Sequence, residues 1–194
     1  TSTSDHKRHS SLSITYYRHE VIIDCGEDWL DQVSNWDADA ILVTHAHPDH
    51  AFGLKQGAPC PVFATEEAWE GMQDFEIDQR RVMSERKKTL IPEKDDHPIE
   101  VTAFPVLHST RAPAVGYRIT AGRVAIFYVP DVAWIKQREE ALSGINRYIG
   151  DGATIKRSMV RKPGDTIIGH VPIQTQLTWC QKTGVENAIF THLG

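Results

Sequence analysis

Residues 40–50 read AILVTHAHPDH, and this stretch changes character at Thr44. Its first part, residues 40–44, is an apolar run without polar alternation, the pattern of a strand covered on both faces. Its second part brings His45, His47, Asp49 and His50 within six residues. A loop leaving the end of a buried strand can turn several side chains toward one point. Neutral imidazole is the commonest protein ligand for zinc, and a carboxylate adds a harder oxygen donor that a second ion can share. The cluster is therefore read as a metal site and not as scattered polar loop residues.

Upstream, residues 11–17 and 20–24 are β-rich runs joined by Arg18-His19, a hairpin leading to the turn signal at Gly26. Asp28 is placed to cap a short helix through Val33. Downstream, the pattern predicts a helix from about Phe52, a strand at 61–64, and a helix over 66–72 capped by Thr65. Residues 74–97 are rich in charge and read as a surface excursion ending in strand-like 89–91. Strands follow at 99–107, 114–120 and 123–129, the last two joined by a tight turn at Ala121-Gly122. Helical stretches at 137–143 and 175–183 then alternate with strand-like 147–149, 166–168 and 188–191. Strands and helices interleaved in this way give an α/β protein with sheets covered by helices.

With 194 residues, 40% of them hydrophobic, the chain can bury one sizeable core, so a single domain over 1–194 is expected. Charged residues make up 24%, and no apolar run approaches the roughly 18 to 20 residues needed to span a bilayer. Cys25, Cys60 and Cys180 are odd in number, far apart and outside any CxxC pattern, which argues against a disulfide framework or a thiolate zinc site. Residues 1–13 are polar and carry no leader-like apolar segment, so a cytoplasmic setting is expected.

HAHPDH resembles the HxHxDH signature of the metallo-β-lactamase superfamily, and further positions extend the resemblance. Asp24 in VIIDCG resembles the aspartate that supports the metal loop by hydrogen bonds. His108 in FPVLHST resembles the third ligand of the first metal, after His45 and His47. Asp131 in FYVPD resembles the bridging carboxylate, and His192 in IFTHLG the histidine that joins Asp49 and His50 on the second metal. The resemblance implies an αββα sandwich of two β-sheets flanked by helices, with a binuclear centre at one edge. It runs from about Ser11 to Gly194, and the usual first and last strands are not recognisable. The domain is therefore expected to lack them. The histidine-rich shell favours two Zn2+ ions, while mixed nitrogen and oxygen donors also accept Mn2+ or Fe.

His170 in IIGHVPIQTQL precedes His192 by 22 residues, an arrangement similar to the branch of ribonuclease Z and the phosphonate-pathway cyclic phosphodiesterase. That likeness implies a histidine outside the metal shell that assists phosphoryl chemistry, with Asp49 orienting a water activated between two ions. The expected function is hydrolysis of small or cyclic phosphodiesters. The alternatives are hydrolysis of a carbonyl ester, lactone, thioester or β-lactam. An RNA-processing role is disfavoured by the net charge of -5. A small-molecule substrate is the expected partner, with no membrane or long nucleic acid, and a homodimer is compatible with the reading. Asp24 and Asp151 are the candidates for holding ligand imidazoles by their other ring nitrogen. His6, His9, His19 and His97 lie in polar contexts and are assigned to the surface.

Overall fold

Alternation along the strands sorts the chain into layers. In the computed structural model, which describes residues 8–193, β1 (Leu12–Tyr16) and β2 (His19–Ile23) form an antiparallel hairpin. Next come β3 (Ala40–Leu42), β4 (Val62–Ala64) and β5 (Arg80–Val82), all parallel to β2, giving a five-stranded sheet in chain order. The turns between them include α1 (Pro48–Ala51) and α2 (Glu66–Glu70). Thr65 Oγ1 accepts from the Ala68 N–H at 3.3 Å and satisfies one of the free donors at the start of α2.

The second sheet has seven strands: β6 (Lys88–Ile91), β7 (Ile99–Leu107), β8 (Ala114–Ala121), β9 (Val124–Val129), β10 (Trp134–Ile135), β11 (Arg147–Asp151) and β12 (Asn187–Thr191). Strands β7, β8 and β9 form an antiparallel meander, turning at Gly122 with φ of 60°, whereas β9, β11 and β12 run parallel. The parallel connections carry α3 (Arg138–Leu142) and α4 (Ile173–Thr183) over the outer face.

Burial follows this layering. Val21, Ile23 and Leu42 pack with Val101, Ala103, Tyr117 and Ile119 in a core between the sheets. Ile22, Ile41 and Val43, the intervening positions, pack outward with Leu54, Trp69 and Met72. Phe104, Phe127 and Tyr148 do the same on the other side with Leu142, Trp179 and Cys180. Two sheets face to face with helices outside are the expected αββα sandwich. No helix among the described residues is long and apolar enough to cross a membrane.

Four local readings are corrected. Asp28 caps no helix, because its Oδ2 accepts from the His9 N–H at 2.7 Å; the chain there makes two 3-10 turns, Glu27–Trp29 and Val33–Asn35. The charged excursion at 74–97 hides β5, an edge strand whose three residues, Val82 included, are exposed and bury no apolar face. Residues 166–168 are not a strand, and contribute one isolated bridge between Arg161 and Ile168. His19 is buried, with Asp39 and Asp95 each 3.2 Å from one of its ring nitrogens; these carboxylates come from distant loops, so its own polar neighbours did not reveal it. His6 lies outside the described residues.

Candidate metal centre

Strand ends of both sheets meet at one edge of the sandwich. Asp24 follows β2, His45 lies just past β3, and His47, Asp49 and His50 surround the start of α1. From the second sheet, His108 follows β7, Asp131 follows β9, Asp151 ends β11 and His192 follows β12. Local chemistry shapes these ends. Pro48 takes the first position of α1, where its missing N–H costs nothing. Asp24 and His192 adopt positive φ, 65° and 54°, a cost that surrounding contacts must offset. Gly26 has no room for a side chain, since a Cβ there would lie 2.4 Å from the Asp49 carbonyl oxygen.

Asp24, fully buried, is the hub beneath the histidine loop. Its Oδ1 accepts the Thr44 N–H at 2.8 Å, the Thr44 hydroxyl lies 2.9 Å from both carboxylate oxygens, and His50 Nδ1 lies 2.8 Å from Oδ2. A carboxylate only accepts, so His50 carries its hydrogen on Nδ1. The Thr44 hydroxyl donates to Asp24 and therefore accepts from His45 Nδ1, 3.0 Å away. His108 Nδ1 faces the Gly169 carbonyl at 3.3 Å, another pure acceptor. In all three histidines Nδ1 is engaged in this way, so Nε2 is the nitrogen turned to the centre, where a ligand must present it unprotonated.

Those nitrogens converge on Asp131. Its Oδ2 lies 3.0 Å from His50 Nε2, 3.3 Å from His45 Nε2 and 3.6 Å from His108 Nε2, while its Oδ1 lies 2.9 Å from His192 Nδ1. His45 Nε2 is 2.9 Å from His47 Nδ1, and His192 Nε2 is 3.1 Å from Asp49 Oδ2. Among the described residues, three groups have ligand atoms within 4.8 Å of one another: His45, His47, His108 and Asp131; Asp49, His50, Asp131 and His192; and Asp131, Asp151, His170 and His192.

Hydrogen bonding decides which groups fit a cation. His50 Nε2, His192 Nδ1 and Asp131 Oδ1 are buried and lie close to acceptors or donors, yet none makes a properly directed hydrogen bond. Buried polar atoms aimed past one another at a shared point are satisfied by a cation there. The second group contains all three of these atoms, and the first, which shares Asp131 with it, presents the Nε2 atoms of His45 and His108 to the same carboxylate. In the third, both oxygens of Asp151 are already used: Oδ2 accepts from the Val132 N–H at 2.9 Å and faces His170 Nδ1 at 2.8 Å, and Oδ1 accepts from the Ala153 N–H at 2.9 Å. Asp151 therefore holds His170 and does not act as a ligand.

Electrostatics separates the two cation groups. Burial pushes His45 down to about 3, with the adjacent His50 adding to the effect, and burial also lowers His47 and His108. These three are neutral at physiological pH. Burial also opposes charge on His50 and His192, but is outweighed by Asp24 and Asp131 at His50 and by Asp131 and Asp49 at His192. His50 is thus raised, and His192 is raised to about 10. Burial of Asp49 and Asp131 is in turn outweighed by their histidine partners, and both stay well below the usual carboxylate range. At His170 the hydrogen bond to Asp151 prevails over burial and raises its pKa.

The structure thus brings His45, His47, Asp49, His50, His108, Asp131 and His192 into two adjoining groups, with His170 at their margin. Sequence reasoning passed over Gln176. Fully buried on α4, it donates to the Asp151 carbonyl at 2.7 Å and accepts from the Asp151 N–H at 3.0 Å and the Tyr148 hydroxyl at 2.8 Å. Ser10 was also passed over; its Oγ accepts from the His192 N–H at 2.9 Å. A polar residue on the buried face of an amphipathic helix was the only sequence signal for Gln176, and Ser10 had none.

Residues 19–193 match the family described as Beta-lactamase superfamily domain. No curated protein sequence matches. Among solved structures, the metallo-β-lactamase fold protein YhfI from Bacillus subtilis is 15% identical with a TM-score of 0.75, over 98% of this chain and 80% of that one. A diphosphatase from the PhnP family is 19% identical with a TM-score of 0.68, over 99% and 76%. Human tRNase Z, short form, is 17% identical with a TM-score of 0.67, over 95% and 86%. At such identities these likenesses report on the fold.

Proposed function

Because the chain belongs to the β-lactamase superfamily, whose fold it shares with metal-dependent hydrolases, we propose that it is a binuclear phosphodiesterase acting on small or cyclic phosphodiesters. The carrying observation is the pairing of His170 with Asp151 at 2.8 Å, outside the two cation groups but at their edge. Divalent ions held by His45, His47, His108 and Asp131 and by Asp49, His50, Asp131 and His192 would supply an activated water and neutralise charge on a phosphoryl oxygen. Zinc suits the nitrogen-rich first group, and manganese or iron suits the second as well.

The remaining work falls to the chain itself. Asp131, nine-tenths buried or more, keeps both groups in register because it belongs to both. The Asp49 side chain is 31% exposed, which places it at the mouth where it can accept a hydrogen bond from the attacking water and orient it. His170 holds its Nδ1 hydrogen on Asp151, a bond that raises the pKa of the ring, and in its protonated form the ring would offer Nε2–H as a donor. A cationic donor beside the centre stabilises charge building on phosphoryl oxygens and protonates a departing alkoxide. The names of the PhnP-family diphosphatase and of tRNase Z accord with phosphoryl transfer on this fold.

Metal-reconstituted protein should turn over bis-p-nitrophenyl phosphate faster than a lactone or nitrocefin. Turnover of only the lactone or nitrocefin would reject the proposal in favour of a carbonyl hydrolase.

A further inference from the structure

Between Asp151 and His170 the chain makes an exposed loop rich in cations. Lys156, Arg157, Arg161 and Lys162 fall within seven residues, all exposed, in a protein of net charge -5. Asp165 is the sole carboxylate of residues 152–169. Among the described residues, the lysines and arginines that pair with a carboxylate are Arg18, Arg86 and Lys88; none of the four loop cations does. Two large apolar side chains are interleaved with them, Ile155 at 66% and Met159 at 44% exposure.

This loop is fastened to the centre. The Met159 N–H donates to the His170 carbonyl at 3.1 Å, Arg161 and Ile168 exchange two backbone hydrogen bonds of 2.9 Å, and the Gly169 N–H donates to the His108 carbonyl at 2.8 Å. Its first residues are tied to the start of α4, where Ile173 donates to the Thr154 carbonyl at 2.9 Å. Gly169, at φ of 102°, leaves no room for a Cβ, which would lie 2.3 Å from the Met159 carbonyl oxygen. The cations are thus carried at the rim of the site by backbone bonds to the very residues that line it.

Unpaired guanidinium and ammonium groups held beside an active centre, with apolar side chains among them, suit a phosphate attached to a nonpolar or aromatic body. We propose that this loop recognises a second phosphate of the substrate, remote from the bond that is broken, so that the preferred substrate is a phosphodiester carrying a terminal phosphate, of nucleotide-like character. This rests on the phosphodiesterase reading of the same centre.

The test compares a thymidine dinucleotide with and without a 5′-terminal phosphate, measuring calorimetric affinity for the metal-loaded protein as well as hydrolysis. The phosphorylated form should bind about tenfold more tightly, the return on one charge-assisted phosphate contact, and the preference should shrink between 50 and 200 mM salt. Two double variants, Lys156→Gln with Arg157→Gln and Arg161→Gln with Lys162→Gln, should each reduce the preference while leaving bis-p-nitrophenyl phosphate hydrolysis unchanged. That diester has no second phosphate, so its turnover reports on the phosphodiesterase reading alone. Equal affinity for the two dinucleotides, or a preference that both double variants retain, overturns the role of the loop even if the protein hydrolyses diesters well.

Discussion

At His170 a single contact orients the ring. With Asp151 occupying Nδ1 at 2.8 Å, the ring has one nitrogen left for chemistry and a raised pKa that favours its charged form. His170→Ala should therefore leave metal content intact and lower kcat by roughly 10² to 10⁴ on a diester with an alkoxide leaving group. The defect should shrink with p-nitrophenolate, which departs without protonation; an unchanged kcat on the alkoxide substrate would remove His170 from the chemistry. Residues at this scale were legible in unequal degree. HAHPDH stands out because four candidate ligands fall on one loop, whereas His108, Asp131 and His192 are single residues that acquire meaning only from family order. Gln176 and Ser10 work through hydrogen bonds to backbone 25 and 182 residues away, and such contacts leave no local pattern.

Elements place these residues through burial. Strand β3 is three residues long, yet it carries the histidine loop because Leu42 packs inward between the sheets while Ile41 packs outward under α2. Leu42→Ala should cost about 2–5 kcal/mol in urea unfolding, the usual range for a cavity at a fully buried leucine; a loss below about 1 kcal/mol would mean that β3 is not held by this core. At the opposite end of β2, Asp95 is held down to about 2 by the His97 N–H and then by Arg18, and it also faces the buried His19. A carboxylate with a depressed folded pKa stabilises above its unfolded value and loses that contribution as pH falls through the folded one. The stability difference between the protein and Asp95→Asn should therefore be present at pH 7 and vanish between about pH 4 and pH 2, followed by thermal melts. The sheets themselves were readable because alternation and turn residues are local. Strand β5 was not, since its exposed Arg80, Arg81 and Val82 pair at an edge without burying an apolar face.

Across the whole molecule, the centre is the place where the two sheets are joined by polar chemistry. Asp24, His45, His47, Asp49 and His50 come from the first sheet and its loops, and His108, Asp131 and His192 from the second. Cations bound there would tie the layers together in the folded state alone and so stabilise it by mass action, by about 2.7 kcal/mol for each site at a free concentration 100 times Kd. For a chain of this length that corresponds to a rise in Tm of roughly 5 to 10 °C. Asp131→Ala should abolish the rise because both groups include that residue, whereas His170→Ala should retain it. Protons enter the same balance. His50 and His192 are raised by their carboxylate neighbours, His192 to about 10, so near pH 7 the metal-free protein holds protons on nitrogens that a cation must take. His45, held down to about 3, gives none up. Binding should thus release protons, seen as a calorimetric enthalpy that varies with the ionisation heat of the buffer, and affinity should weaken as pH falls. A Tm that does not respond to zinc, manganese or iron, together with a buffer-independent enthalpy, would contradict the assignment of both groups.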